Sequence, residues 1–175
     1  MRIISGKYKG KKLLGFDIDG TRPTMDRVKE SMFAMIQTNL KDAVCLDLFA
    51  GSGSLGIEAI SNGASKCIFV EKNNIAYNIL SKNLETLSSD EYEKHKIDYL
   101  EYFKKNDLSF DIIFLDPPYV GTYLNKSLRL INEYNILKEQ GIIVCEHTEE
   151  IKEDYKIVKQ KKYGNKKVTI LSKNN

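Results

Sequence analysis

Four strand-sized apolar runs recur along this chain, at Ala43 to Leu48, Cys67 to Glu71, Phe110 to Asp116 and Gly141 to Glu146, with helical stretches between them. Strands that are apolar on both faces must be covered on both sides, so this alternation predicts a parallel sheet with helices on each face. The clearest helix carries Ile75, Ile79, Leu80, Leu84 and Leu87 at helical spacing and opens at the cap-like Asn73-Asn74. A weaker strand is predicted to end at Asp98, inside the polar Lys94-His95-Lys96-Ile97. Near the end the rhythm breaks: Tyr155 to Tyr163 and Lys166 to Leu171 flank the turn signal Gly164-Asn165, which predicts an antiparallel closing pair.

Ahead of the alternating region, the lysine-rich stretch from Arg2 to Phe16 reads as two short strands around a glycine turn, a basic hairpin. A helix is expected from about Thr24, an N-cap after Pro23, with Val28, Met32, Met35 and Ile36 at helical spacing. The expected organisation is a hairpin extension over residues 1–20 and one α/β domain over residues 21–175. A chain of 175 residues buries about 70% of its unfolded surface and needs no covalent staple.

The longest apolar runs fall far short of the roughly 20 residues of a membrane span. The start, Met-Arg-Ile-Ile followed by lysines, does not read as a signal peptide. Cys45, Cys67 and Cys145 lie in apolar runs without metal or redox spacing, so the expectation is three buried thiols in a cytoplasmic protein. His95 and His147 are far apart in sequence, and no metal site is expected. The net charge of +3 divides unevenly. Residues 1–30 hold 8 basic and 4 acidic side chains, residues 31–155 hold 12 and 20, and residues 156–175 hold 7 and none. An acidic middle, net −8, thus lies between basic ends of +4 and +7. Three of the four arginines, Arg2, Arg22 and Arg27, fall in the first 30 residues.

The segment Asp47-Leu48-Phe49-Ala50-Gly51-Ser52-Gly53-Ser54-Leu55-Gly56 follows a strand and opens a helix. Gly51 and Gly53 allow a sharp turn and close backbone approach to a ligand, whereas Gly56 reads as a packing glycine. The spacing also fits a dinucleotide fingerprint, with Glu71 placed 20 residues after Gly51 to hold ribose hydroxyls in either case. Asp47 tips the balance toward a cationic ligand, since its carboxylate would repel a pyrophosphate. Asp47, Glu71, Asp98 and Asp116 are all expected at carboxyl ends of strands, on one rim of the ligand crevice.

Asp116-Pro117-Pro118-Tyr119 is the most specific feature. Consecutive prolines fix the backbone and remove two amide donors, leaving carbonyl and carboxylate acceptors beside an aromatic ring. Such a rim suits a planar group with an exocyclic amine, held through its N–H protons and stacked on the ring.

These motifs together resemble the class I S-adenosylmethionine-dependent amino-methyltransferases. Met1-Arg-Ile-Ile-Ser-Gly-Lys-Tyr-Lys-Gly-Lys-Lys-Leu13 and Thr21-Arg-Pro-Thr-Met-Asp-Arg-Val-Lys-Glu30 look specifically like the RsmD family, which methylates N2 of a guanine in 16S ribosomal RNA of the small subunit. The likeness spans nearly the whole chain and includes Tyr163-Gly164. It implies a Rossmann-like, mostly parallel seven-stranded sheet with an antiparallel C-terminal hairpin. It places Asp47, Phe49, Gly51, Ser52 and Gly53 around S-adenosylmethionine, Glu71 on its ribose and Asp98 on its adenine amine, with Arg22 and Thr24 nearby. Asp116 and the Pro117 carbonyl, followed by Pro118, would take the guanine amine, with Tyr119 stacked on the base. Arg2, Lys7, Lys9, Lys11, Lys12 and Arg27 would meet RNA phosphates. The expected partner is 16S rRNA within a small-subunit particle, acted on by a monomer. Ser54 departs from the family, which often has Ala there, and the Lys94 to Asp98 strand is unusually polar.

Three other readings fit parts of the pattern: an amino-methyltransferase for another RNA or DNA base, an NAD-dependent oxidoreductase, and an inactive RNA-binding module on the same scaffold. The oxidoreductase leaves Asp116 to Tyr119 unexplained.

Overall fold

The computed structural model describes residues 1–15, 22–118 and 121–174, with backbone only at 22–24. Its strands are β1 (Val44–Asp47), β2 (Lys66–Val70), β3 (Tyr92–His95), β4 (Phe110–Leu115), β5 (Leu137–His147), β6 (Lys156–Tyr163) and β7 (Lys166–Ser172). They form one seven-stranded sheet in the order β3-β2-β1-β4-β5-β7-β6. The first five strands are parallel, and β7 pairs antiparallel with both β5 and β6. The Gly164-Asn165 turn therefore closes the hairpin expected from sequence.

The helices are α1 (Arg22–Met35), α2 (Ser54–Ser61), α3 (Asn74–Leu84), α4 (Tyr99–Lys105) and α5 (Tyr123–Glu133). Strand side chains alternate between faces, and two apolar cores result. Cys45, Phe69, Phe114 and Val144 pack with α1, α2 and α3 on one face. Leu46, Val70, Leu115 and Cys145 pack with α4 and α5 on the other. The apolar runs Cys67 to Val70, Ile112 to Leu115 and Ile142 to Cys145 are buried because their strands are covered on both faces. All three cysteines are free and buried, and burial raises each thiol pKa above its ordinary value.

Several sequence expectations need correction. Helix α1 begins at Arg22, so Thr24 lies within its first turn instead of capping it. Proline is tolerated there because first-turn amides have no intrahelical acceptor. Strand β3 ends at His95, and Asp98 is the N-cap of α4, its side chain accepting from Leu100 N at 2.9 Å. The polarity of β3 follows from its place at the sheet edge, paired only with β2, where charged residues discourage further strand addition. Strand β5 starts at Leu137, ahead of Gly141, with a register shift against β4 between Phe110 and Ile112.

The N-terminal hairpin is pared down to one antiparallel bridge, Arg2 to Lys12, with Ile3 N–H donating to Lys11 O and Gly10 N–H to Ile3 O. Ile3 and Leu13 are buried in the α1–α3 core. What pins this segment is a buried ion pair that no local pattern announces. Glu58 of α2, 1% exposed, accepts from Ile4 N at 2.9 Å, Ser5 N at 3.1 Å and Asn62 Nδ2 at 3.0 Å. Lys29 of α1 lies 3.1 Å from Glu58 and spends its other two donors on Arg2 O (2.8 Å) and Ser54 Oγ (2.9 Å). Ser54, the departure from the family pattern, is thus a lysine acceptor.

Candidate active site

Strand order reverses between β1 and β4, whose outgoing connections lead to opposite faces, and a crevice opens at their carboxyl ends as expected for a doubly wound sheet. The cleft there measures about 1110 Å³ and takes residues from β1, β2, β5 and β7, from α1 and from the loops that follow β1, β2 and β4. Continuing the strand alternation, Asp47, Glu71, Asp116, Glu146 and Lys166 all fall on the face shared with α1. All five line the cleft.

The glycine loop shapes its floor. Gly51 and Gly53 have φ of +56° and +89°, a left-handed conformation costly for any residue with a Cβ. Gly53 caps α2 without a side chain, and Asp47 supplies the acceptor for one first-turn amide, Gly56 N. Gly56 serves packing, since a Cβ there would lie 2.3 Å from the Phe69 ring and 2.7 Å from Cys67 Sγ. Ser52 is buried, and its carbonyl accepts from Asn83 Nδ2 at 2.8 Å.

Asp47 is 1% exposed; Oδ2 accepts from Gly56 N at 3.1 Å, while Oδ1 has no partner among the described residues. Burial pushes its pKa up to about 7, only partly countered by the Gly56 amide. A buried carboxylate oxygen without a donor calls for a cationic or N–H group from a ligand. Glu71 braces the loop, accepting from Gly51 N and Asn73 N, both at 2.8 Å. A carboxylate has about four lone-pair sites, so vicinal hydroxyls can still be held. Asp98 caps α4 and lies 3.5 Å from Lys72, at the same rim. Phe49 is joined by Tyr99 at 5.1 Å and Tyr123 at 5.9 Å, forming an aromatic wall.

On the other side of the reversal, Asp116 follows β4 directly, with Pro117 buried and Pro118 exposed. Enclosure, Glu146 and Asp47 raise the Asp116 pKa well above the carboxylate range, with Lys166 pulling it down. A positive charge brought into the cleft therefore favours its ionised form. Tyr119 lies outside the described residues, as do the side chains of Arg22 and Thr24.

The expected RNA-contacting residues lie in the N-terminal segment and on α1. Arg2, Lys9, Lys12 and Arg27 are exposed, and Lys11 lies over the Tyr8 ring at 5.4 Å. Lys7 is tied to Glu91, which the sequence did not suggest. Met1 lines the cleft, so this basic segment starts at its rim. Lys29, Tyr123, Glu146 and Lys166 also line the cleft and escaped sequence reading, because each reaches it from an element remote in the chain.

A family model described as conserved hypothetical protein 95 matches residues 1–172. A ribosomal RNA small subunit methyltransferase D from Haemophilus influenzae is 40% identical over 94% of this chain and 89% of its own length. The Bacillus subtilis protein YlbH is 42% identical over 99% of both chains. Among solved structures, the Escherichia coli protein yhhF superposes with a TM-score of 0.88 at 30% identity, covering 99% of this chain and 97% of that one. At 17% identity, SMU.776 in complex with S-adenosylhomocysteine shares the fold, with a TM-score of 0.67 over 94% of this chain and 52% of that one.

Proposed function

The chain belongs to the family described as conserved hypothetical protein 95, the RsmD family, and from that premise we propose that it methylates the exocyclic N2 amine of a guanine in 16S rRNA of the small ribosomal subunit. The single observation that carries the reading is the pair of carboxylates at the strand-order reversal. Asp47 has an orphaned oxygen beside the glycine loop, and Asp116 faces the same cleft from β4.

S-adenosylmethionine, when bound, supplies an electrophilic methyl group on a sulfonium. Asp47 would hold its ammonium, Glu71 its ribose hydroxyls and Asp98 its adenine amine. Gly51, Ser52 and Gly53 would let the backbone close on it, with Phe49 beside the adenine. Asp116 and the Pro117 carbonyl would accept the two N2 protons, with Pro118 keeping the turn rigid and Tyr119 stacking on the base. Held so, the nitrogen is oriented for in-line attack, and positioning supplies much of the rate. The Asp116 carboxylate stabilises positive charge as it builds on nitrogen. The proton leaves afterwards, so a strong base is unnecessary. The cytoplasm, where rRNA is assembled, is the proposed compartment. The exposed Arg2, Lys9, Lys12 and Arg27, with Lys11 and Lys7, would engage phosphates.

The direct test is labelled methyl transfer from S-adenosylmethionine to unmethylated 16S rRNA and to small-subunit particles, followed by nucleoside analysis. N2-methylguanosine is the expected product; label on adenine, or none on either substrate, removes the reading.

A pH dependence follows from Asp47. In the free protein its carboxyl holds a proton below about pH 7, whereas a bound ammonium favours the ionised form. Binding then releases a proton, and affinity rises as pH increases toward 7. Calorimetry with S-adenosylhomocysteine from pH 6 to 7.5 should show affinity climbing several-fold and levelling off. Asp47→Asn should bind more weakly and lose the slope; a slope kept in that variant would assign it elsewhere.

A further inference from the structure

One ion pair in the cleft has no part in holding the amine or the cofactor. Glu146 on β5 and Lys166 at the start of β7 lie 3.4 Å apart, with side chains 15% and 36% exposed, and both line the cleft beside Asp116. Their placement follows from register. Leu115 pairs with Cys145 across parallel strands, and Asp116 and Glu146 are the residues that follow them, both lining the cleft. Glu146 pairs with Val168 on β7, and Lys166 comes two residues earlier, on the same face. Across the cleft the sheet thus presents, in spatial order, an acceptor, an acceptor and a donor.

The Watson–Crick edge of guanine presents the complement in the same order: the N2 amine, the N1–H donor and the O6 acceptor. We propose that Glu146 and Lys166 read the target base as guanine, Glu146 accepting from N1–H and Lys166 donating to O6 while N2 rests at Asp116. This rests on the N2-guanine reading above. Adenine offers an acceptor at N1 and a donor at its six position, so it would meet both groups with the wrong polarity. Buried polar groups left facing like partners are what make such sites discriminate. Stability alone gives little reason for the pair, since an ion pair drawn partly out of water recovers little more than its own desolvation cost. Its placement also sets a second carboxylate beside Asp116, which raises the Asp116 pKa.

The test uses small-subunit particles assembled with 16S rRNA carrying guanine, 2-aminopurine or inosine at the target position. 2-Aminopurine keeps the N2 amine but has an acceptor at N1 and only hydrogen at the six position; inosine lacks the amine. The wild type should methylate guanine with kcat/KM about 10- to 100-fold above 2-aminopurine, and inosine not at all. Glu146→Leu, which leaves no acceptor for N1–H, should lose about 10- to 100-fold on guanine while 2-aminopurine is unchanged or improves, because its N1 no longer faces a carboxylate. Lys166→Met should weaken guanine alone. Unchanged affinity for S-adenosylhomocysteine in both variants verifies the fold. Loss in equal proportion on guanine and 2-aminopurine, or a guanine preference unaltered in both variants, overturns the proposal while leaving N2 methylation standing. A wild-type product other than N2-methylguanosine overturns the underlying reading and this one together.

Discussion

Asp116→Ala should lower methyl transfer by about 10³-fold or more while cofactor affinity stays within a fewfold, because the truncated side chain no longer holds the amine or stabilises the charge forming on it. Asp116→Asn keeps one acceptor oxygen without the charge, so it should fall between the two. The thermal midpoint of either variant should not drop. The Asp116 carboxyl, with its pKa raised by enclosure and by Glu146 and Asp47, costs the folded protein stability. Loss of activity without loss of stability marks a group kept for chemistry. Single-turnover rates and calorimetry with S-adenosylhomocysteine separate the two effects; turnover of Asp116→Ala within tenfold of wild type would remove this residue from the reaction.

The second large effect is on stability. Lys29→Met leaves Glu58 buried with the Ile4, Ser5 and Asn62 donors still in place. Breaking a buried ion pair costs about 3–5 kcal/mol, which for a chain of this size is a fall in melting midpoint of roughly 6–20 °C. Glu58→Leu should be worse, since it strands the lysine and also orphans two backbone amides. The double variant should recover only part of the loss. An apolar replacement repairs the charge pair, but nothing replaces the acceptors for Ile4 and Ser5. Urea unfolding curves with a constant slope would measure this; full recovery in the double variant would show that the amides find other partners.

Much of this fold was legible because its signals are local. The apolar runs of β1, β2, β4 and β5 need only a sheet covered on both faces, and Gly164-Asn165 needs only a turn with positive φ, found at +61°. Asn73 caps α3, its side chain accepting from Ala76 N at 3.0 Å. Errors fell where two local devices compete. The sequence points to a strand end at Asp98, but three residues past β3 its short side chain instead caps α4, accepting from Leu100 N. Thr24 looked like a cap because it follows a proline, yet proline itself fits the first helical turn. The site divides the same way. The glycine loop and Asp116-Pro117-Pro118 are contiguous and can be read. Glu146 and Lys166 meet only through β5–β7 pairing, and Lys29 and Glu58 only through helix packing, so neither pair leaves a pattern in the sequence.

The reversal of strand order has a consequence for how this molecule can change. Asp47, Glu71 and Asp98, within residues 47–98, lie on one side of it, and Asp116 and Glu146, within residues 116–166, on the other. The two stretches do not interleave along the chain. A lineage could therefore revise which base it accepts by altering the later stretch while the earlier one is held constant, and a designer seeking a new acceptor has about fifty consecutive residues in which to work.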